Sequence, residues 1–176
     1  LALVRGDRQL LAAIADGEIE RTDPADPGWA SLVTGCALAL AASGRTQEAL
    51  ERLSPLLGDH ADLPALKLAK RLLFADEAQR EALVRVLERE CDLTALREVR
   101  SMNQLFLAED ALERLGDVER GRKLLEDAVR SAPWNPDAVE RLVTLAQNEG
   151  DVTTLAPLFE EVLEEARQDK RMAPAT

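Results

Sequence analysis

Residues Met102–Asn135 read MNQLFLAEDALERLGDVERGRKLLEDAVRSAPWN. Leu105, Ala108 and Leu112 recur at three- and four-residue steps before Gly116-Asp117, and Leu124, Leu125, Ala128 and Val129 do so after it. That spacing puts each set on one face of a helix. Gly116 is the natural end of the first helix, since glycine accepts the left-handed conformation that closes one, and Pro133 stops the second. The stretch is therefore a helical hairpin. Gly150-Asp151 follows Gly116-Asp117 after 34 residues, and a period of about 34 marks stacked helical hairpins.

The composition suits that reading. Aromatic residues are 3% of the 176 and Tyr is absent, so Leu, Val and Ala must build the core. A hydrophobic fraction of 46% and a charged fraction of 31% are those of a folded globular chain. Nothing approaches the 18 or so consecutive apolar residues of a membrane-spanning helix, and no charged region precedes an apolar one near Leu1, so no leader segment is expected. The net charge of −11, from 33 acidic and 22 basic residues, opposes nucleic acid and anionic membrane surfaces, because phosphate binding rests on Lys and Arg contacts. Cys36 and Cys91 are far apart and outside any metal-binding spacing. They read as reduced packing residues and favour a cytoplasmic location.

Toward the N-terminus, Arg5-Gly6-Asp7 reads as a turn like the two glycine turns above, which makes Leu1–Val4 the end of a helix whose start lies outside the chain. Residues 1–25 are then the second helix of a partial repeat, with Leu10, Leu11, Ile14 and Ala15 on one helical face, and the chain is expected to be cut from a longer array. Asp26 is expected to cap the next helix, with Pro27 as its first residue. That helix carries Trp29, Leu32, Val33, Cys36, Ala37 and Leu40 and ends at Gly44. Thr46 is expected to cap its partner, with Ala49, Leu50, Leu53, Leu56 and Leu57 inward and Pro55 distorting the last turn. Asp62-Leu63-Pro64 opens a further pair, with Leu66, Ala69 and Leu73, then Ala82, Leu83, Val86 and Leu87. Asp92–Arg100 breaks the period, either as a helix of its own or as an extension of the helix leading to Leu115. Asn135 caps the last hairpin and Pro136 starts it. Val139, Leu142, Val143 and Ala146 face inward there, then Leu155, Phe159, Val162 and Leu163. The hairpins fall at about 27–58, 63–91, 93–132 and 135–168 within an array spanning 26–168. Residues 169–176 lack apolar pattern and are expected to be disordered.

Together these residues resemble a tetratricopeptide repeat array. Val33, Cys36, Ala37, Leu40, Gly44, Ala49 and Leu53 fit the family pattern, as do Leu105, Ala108, Leu112, Gly116, Leu125, Ala128 and Pro133, and also Val139, Leu142, Val143, Ala146, Gly150, Phe159 and Val162. The set from Leu66 to Val86 fits more weakly. Lys70 and Glu109 stand where the family prefers a small residue, and Gly121 stands where it prefers Ala, at a cost of about 1 kcal/mol in helix propensity. The resemblance implies an all-α fold: a right-handed superhelical solenoid of antiparallel helix pairs. It also implies a concave groove lined by the first helix of each pair. In this sequence those positions hold Thr34, Leu38 and Ala41; Lys67, Arg71 and Phe74; Asn103, Phe106, Asp110 and Glu113; and Asp137, Glu140 and Thr144. The Asn pattern of the family's carboxylate clamp is missing.

No residue set marks chemistry. His60 is the single histidine and falls in an expected loop, with no nucleophile signature around it. There is no phosphate-binding or zinc-protease motif, so no catalytic, cofactor or metal site is expected. Glu160-Glu161 and Glu164-Glu165 read as a solvated face or as an acidic patch for a basic partner. Trp29 and Trp134, at hairpin starts, read as packing residues or as exposed anchors. The function expected is a non-catalytic interaction module that binds a protein or peptide partner through its groove, as part of a longer protein. The alternatives are an architectural domain that packs on its own chain or dimerises through an uncapped end at Leu1, Leu3 and Leu10, and an enzyme whose catalytic part lies elsewhere.

Overall fold

The computed structural model describes residues 5–58 and 61–168. Leu1–Val4, His60 and Lys170–Thr176, on which expectations were placed above, lie outside the described residues. Among the described residues the chain is all-α, without strands, and it divides into two compact units, Leu1–Leu93 and Thr94–Thr176.

The first unit holds α1 (Arg5–Arg21), α2 (Trp29–Ala42), α3 (Thr46–Leu53), α4 (Leu63–Leu73) and α5 (Arg80–Leu93). A 3₁₀ turn at Ser54–Leu56 follows α3, where Pro55 removes a backbone donor, and another at Glu77–Gln79 leads into α5. α1 packs on α2, α2 pairs with α3 and α4 with α5, and α4 also lies against α2 and α3. Val33, Cys36, Ala37 and Leu40 meet Ala49, Leu53 and Leu56, while Leu66, Ala69 and Leu73 meet Leu83, Val86 and Leu87. All of these are buried, on the faces that their spacing assigns.

The second unit holds α6 (Arg97–Glu109), α7 (Val118–Ser131), α8 (Pro136–Glu149) and α9 (Ala156–Gln168). A single π turn, Asp110–Leu115, continues α6, and a 3₁₀ turn, Val152–Leu155, precedes α9. Its core joins Ala108, Leu125, Ala128, Val129, Ala138, Leu142, Ala146, Leu155, Leu158 and Val162.

Three turns share one device. Gly44, Gly116 and Gly150 take φ of 82°, 65° and 73°. The N–H of the following residue then reaches back to a carbonyl of the helix just ended: Arg45 to Leu40 at 3.0 Å, Asp151 to Ala146 at 2.9 Å and Asp117 to Ala111 at 2.9 Å. These bonds satisfy carbonyls orphaned at the helix end. The bond at Gly116 spans one residue more than the other two because the π turn inserts one.

Several local expectations are corrected. Arg5-Gly6-Asp7 is not a turn but part of α1. Glycine alone costs a helix about 1 kcal/mol without ending it, and the back-reaching bond is what ends it. Asp26 does not cap α2. It accepts the Gly28 N–H at 2.7 Å, holding the Asp-Pro-Gly turn ahead of the helix, and Gly28 occupies the cap position. Thr46 is the first residue of α3, and Arg45 precedes it at the cap. Leu10, which was expected at an uncapped end, is exposed, and so is Ile14. Leu163 is exposed and Leu158 is buried in its stead: the tighter 3₁₀ turn at Val152–Leu155 rephases α9 so that Leu155, Leu158 and Val162 align. Asp92–Arg100 forms no separate helix. Asp92 and Leu93 end α5, residues 94–96 connect, and Arg97–Arg100 lengthen the helix leading to Leu115.

Asp62 and Asn135 cap as their positions suggest, accepting the N–H of Ala65 at 3.1 Å and of Ala138 at 3.4 Å.

Candidate functional site

Two period-breaking residues, Arg97 and Glu98, join residues of the regular repeat in a site. Arg97, at the start of α6, donates from Nε to the Ser131 carbonyl at 3.0 Å and from a terminal nitrogen to the Arg130 carbonyl at 3.3 Å. Those carbonyls end α7 and have no partner in their own helix. A cation there meets the negative end of the helix dipole as well. The Arg97 guanidinium also lies 5.9 Å from the centre of the Trp134 ring, within cation–π range. Ser101, one turn on, donates to the Ala128 carbonyl at 2.8 Å and accepts from the Asn135 side chain at 2.9 Å. The start of α6, the end of α7 and the cap of α8 are thus tied into one polar knot, and the knot sets the position of Trp134.

Beside it lies an open groove of about 400 Å³ within the second unit. Its floor is apolar: Met102, Leu105, Phe106, Ala132 and Trp134. Met102 is 66% exposed and Trp134 46% exposed. Glu98 and Glu109 on α6 and Asp137 on α8 supply its carboxylates. Trp134 and Phe106 were both singled out from the sequence. Met102 and Glu98 were not, and Glu109 was marked only as a departure from the repeat pattern, because the family resemblance points to the adjoining stripe of α6 and because Glu98 sits in residues that fit no repeat.

The expected groove residues fare differently. In the first unit Leu38, Lys67, Arg71 and Phe74 are exposed and Thr34 is half-buried, its hydroxyl oxygen buried without a hydrogen-bond partner among the described residues. Lys67, Arg71 and Phe74 share one side of α4 by their spacing. In the second unit Asn103 and Asp110 are not open to a partner: they are only 5% and 3% exposed, and Asp110 takes a two-pronged pair with Arg114 at 3.0 and 3.1 Å. Phe106 is half-buried in the groove floor. Glu113 pairs with Arg141, so it ties the π turn to α8, while Glu140, Thr144 and Asp137 are exposed. The acidic run of α9 is largely engaged within the unit, with Glu161 3.5 Å from Arg130 and Glu165 3.6 Å from Arg97.

Two departures from the repeat pattern have structural reasons. Lys70, where a small residue is preferred, reaches the fully buried Glu90 of α5 at 2.5 Å. Gly121 is where α7 meets Leu112 of the π turn. A Cβ there would lie 2.5 Å from Leu112 Cγ and Cδ2.

Two further polar clusters lie in the first unit. The Cys36 thiol donates to Asp16 at 3.3 Å, and Asp16 pairs with Arg52 at 2.9 Å. Burial, then that hydrogen bond, pushes the thiol pKa up to about 11. A hydrogen bond from Arg45 holds Glu48 below the usual carboxylate range. Neither cysteine is in a disulfide. Among the described residues no group of His, Cys, Asp and Glu is placed to hold a metal ion, and no helix is long and apolar enough to cross a membrane.

No family model and no curated protein matches the chain. Two solved structures are similar to it in fold, both of MamA, a tetratricopeptide-repeat-containing protein. One, "Crystal structure of MamA", has a TM-score of 0.50 at 16% identity over 97% of this chain and 99% of that one. The other has 0.49 at 16%, over 97% and 93%. At such identity the likeness is one of fold, and the fold of this chain is all-α of the tetratricopeptide-repeat type.

Proposed function

We propose that this chain is a degenerate tetratricopeptide repeat array acting as a non-catalytic interaction module, and that the groove between α6 and Trp134 holds a segment of a protein partner. The observation that carries the reading is the groove itself: an apolar floor with Met102 and Trp134 largely open to solvent. Exposed aromatic and Met side chains are what interface centres are made of. Lys67, Arg71 and Phe74 on α4, with Leu38 and Thr34 on α2, are a further contact surface under the same reading, and Glu140 and Thr144 on α8 another. Among the described residues no group of His, Cys, Asp and Glu is placed to hold a metal ion, and the open apolar floor is what favours binding as the reading.

The test uses the intact protein as bait in its native source, beside a Met102→Glu variant. Met102 is exposed, so the variant keeps its melting temperature. The expected result is a protein retained by the parent and lost from the variant. Retention of the same proteins by both would remove the groove from the reading. Self-association is the second reading, favoured by exposed Leu10 and Ile14 one turn apart on α1. Sedimentation of the parent and of Ile14→Lys separates it, since a dimer held by that face falls apart in the variant.

A further inference from the structure

The groove floor says that an apolar group binds, and its carboxylates say of what kind. Glu98, Glu109 and Asp137 have no hydrogen bond or ion pair among the described residues. Their neighbours in the same unit are engaged: Asp110 with Arg114, Glu113 with Arg141, Glu149 with Arg122, Glu161 with Arg130 and Glu165 with Arg97. Among the described residues the arginines of this unit are engaged elsewhere, and Arg97, next to Glu98 in sequence, is turned to the end of α7. Glu98, Met102, Leu105 and Glu109 follow one another at helical steps, so they form a stripe along α6 with a carboxylate at each end and apolar residues between. Over eleven residue steps that stripe is about 16 Å long.

Resting on the reading of the groove as a partner site, we propose that its occupant is a basic amphipathic helix of about three turns. Its large apolar side chains seat on Met102, Phe106 and Trp134, and Lys or Arg at its two ends meet Glu98 and Glu109, with Asp137 beside them. The volume takes one or two large side chains, not a folded domain. Met102 lets the floor adapt to their shape. The carboxylates on the open rim act chiefly on encounter and selection: they steer a cation in, and they leave an acidic segment repelled. The net charge of −11 extends the same preference beyond the groove.

The experiment is titration calorimetry of the full chain with three synthetic helical peptides that share one Leu and Phe stripe and carry Lys, Gln or Glu at both ends. The Lys peptide is expected to bind at one site and to weaken as salt is raised. The Gln peptide should bind roughly tenfold more weakly, and the Glu peptide not at all. Glu98→Lys with Glu109→Lys should reverse the order, favouring the Glu peptide. Equal, salt-independent binding of the Lys and Gln peptides overturns the basic-helix proposal and leaves the apolar groove standing. Lys-peptide binding that Met102→Glu does not touch places the contact elsewhere and overturns both. If no peptide binds, the proposal falls, and the capture experiment above still decides the groove.

Discussion

Gly121 looks like a flaw in a helix until Leu112 is seen against it. Placing Ala there gains about 1 kcal/mol of propensity, but the new Cβ meets Leu112 at Cγ, so the whole side chain must move, not only its tip. Overpacking of this sort costs about 1–3 kcal/mol. Gly121→Ala is therefore expected to destabilise by about 1 kcal/mol in urea unfolding, and to stabilise when made on top of Leu112→Ala. A gain in the single variant would mean that Leu112 steps aside freely. The Cys36 thiol gives a second residue-level outcome. Its folded pKa is raised from 9.0 to about 11. The neutral thiol therefore favours the fold below about pH 9, and that contribution is lost as pH rises toward 11. Stability measured across this window should fall more steeply in the parent than in Cys36→Ala. Parallel curves would show that the thiol titrates alike in the folded and unfolded chain.

Between elements, charge does the work that small residues do in a regular repeat. Lys70 enters the α4–α5 contact and meets Glu90, which is wholly buried. Replacing such a pair by apolar residues is often neutral, whereas removing one partner costs on the order of 3 kcal/mol. Lys70→Met should accordingly lose about that much in denaturant unfolding, and Lys70→Met with Glu90→Leu should recover most of it. A harmless single variant would show that Glu90 does not depend on the lysine. Arg97 plays the matching part at the end of α7. Arg97→Ala frees the carbonyls of Arg130 and Ser131 and is expected to cost about 1.5 kcal/mol, the lower range for hydrogen bonds to a charged group. Amide exchange should quicken in the last turn of α7. Unchanged exchange there would assign that end to the packing of Val129 and Ala132 alone.

At the scale of the whole chain, the helices and their inward faces were legible because burial follows the 3.6-residue period directly: Val33 to Leu40, Leu66 to Leu73 and Leu125 to Val129 are buried where their spacing puts them. What the period cannot carry is a change of helical pitch. The π turn at Asp110–Leu115 and the 3₁₀ turn at Val152–Leu155 rephase what adjoins them, which is why Leu158 and not Leu163 is buried. Nor does it say which face a neighbouring element covers, so that Asn103 and Asp110 read as groove residues although both are buried. Half of the candidate groove was visible, as Phe106 and Trp134. Of the other half, Glu98 belongs to the stretch that breaks the repeat, and Met102, which opens the regular repeat, lies on a stripe of α6 beside the one that the family pattern marks. The measurement that bears most directly on the groove as a partner site is photo-crosslinking in the native cell, with a photoreactive amino acid in place of Met102 and, as a control, in place of the exposed Gln147 on α8. The account predicts a discrete protein adduct from position 102 that is absent from position 147. No adduct at 102, or the same adducts from both positions, would contradict it.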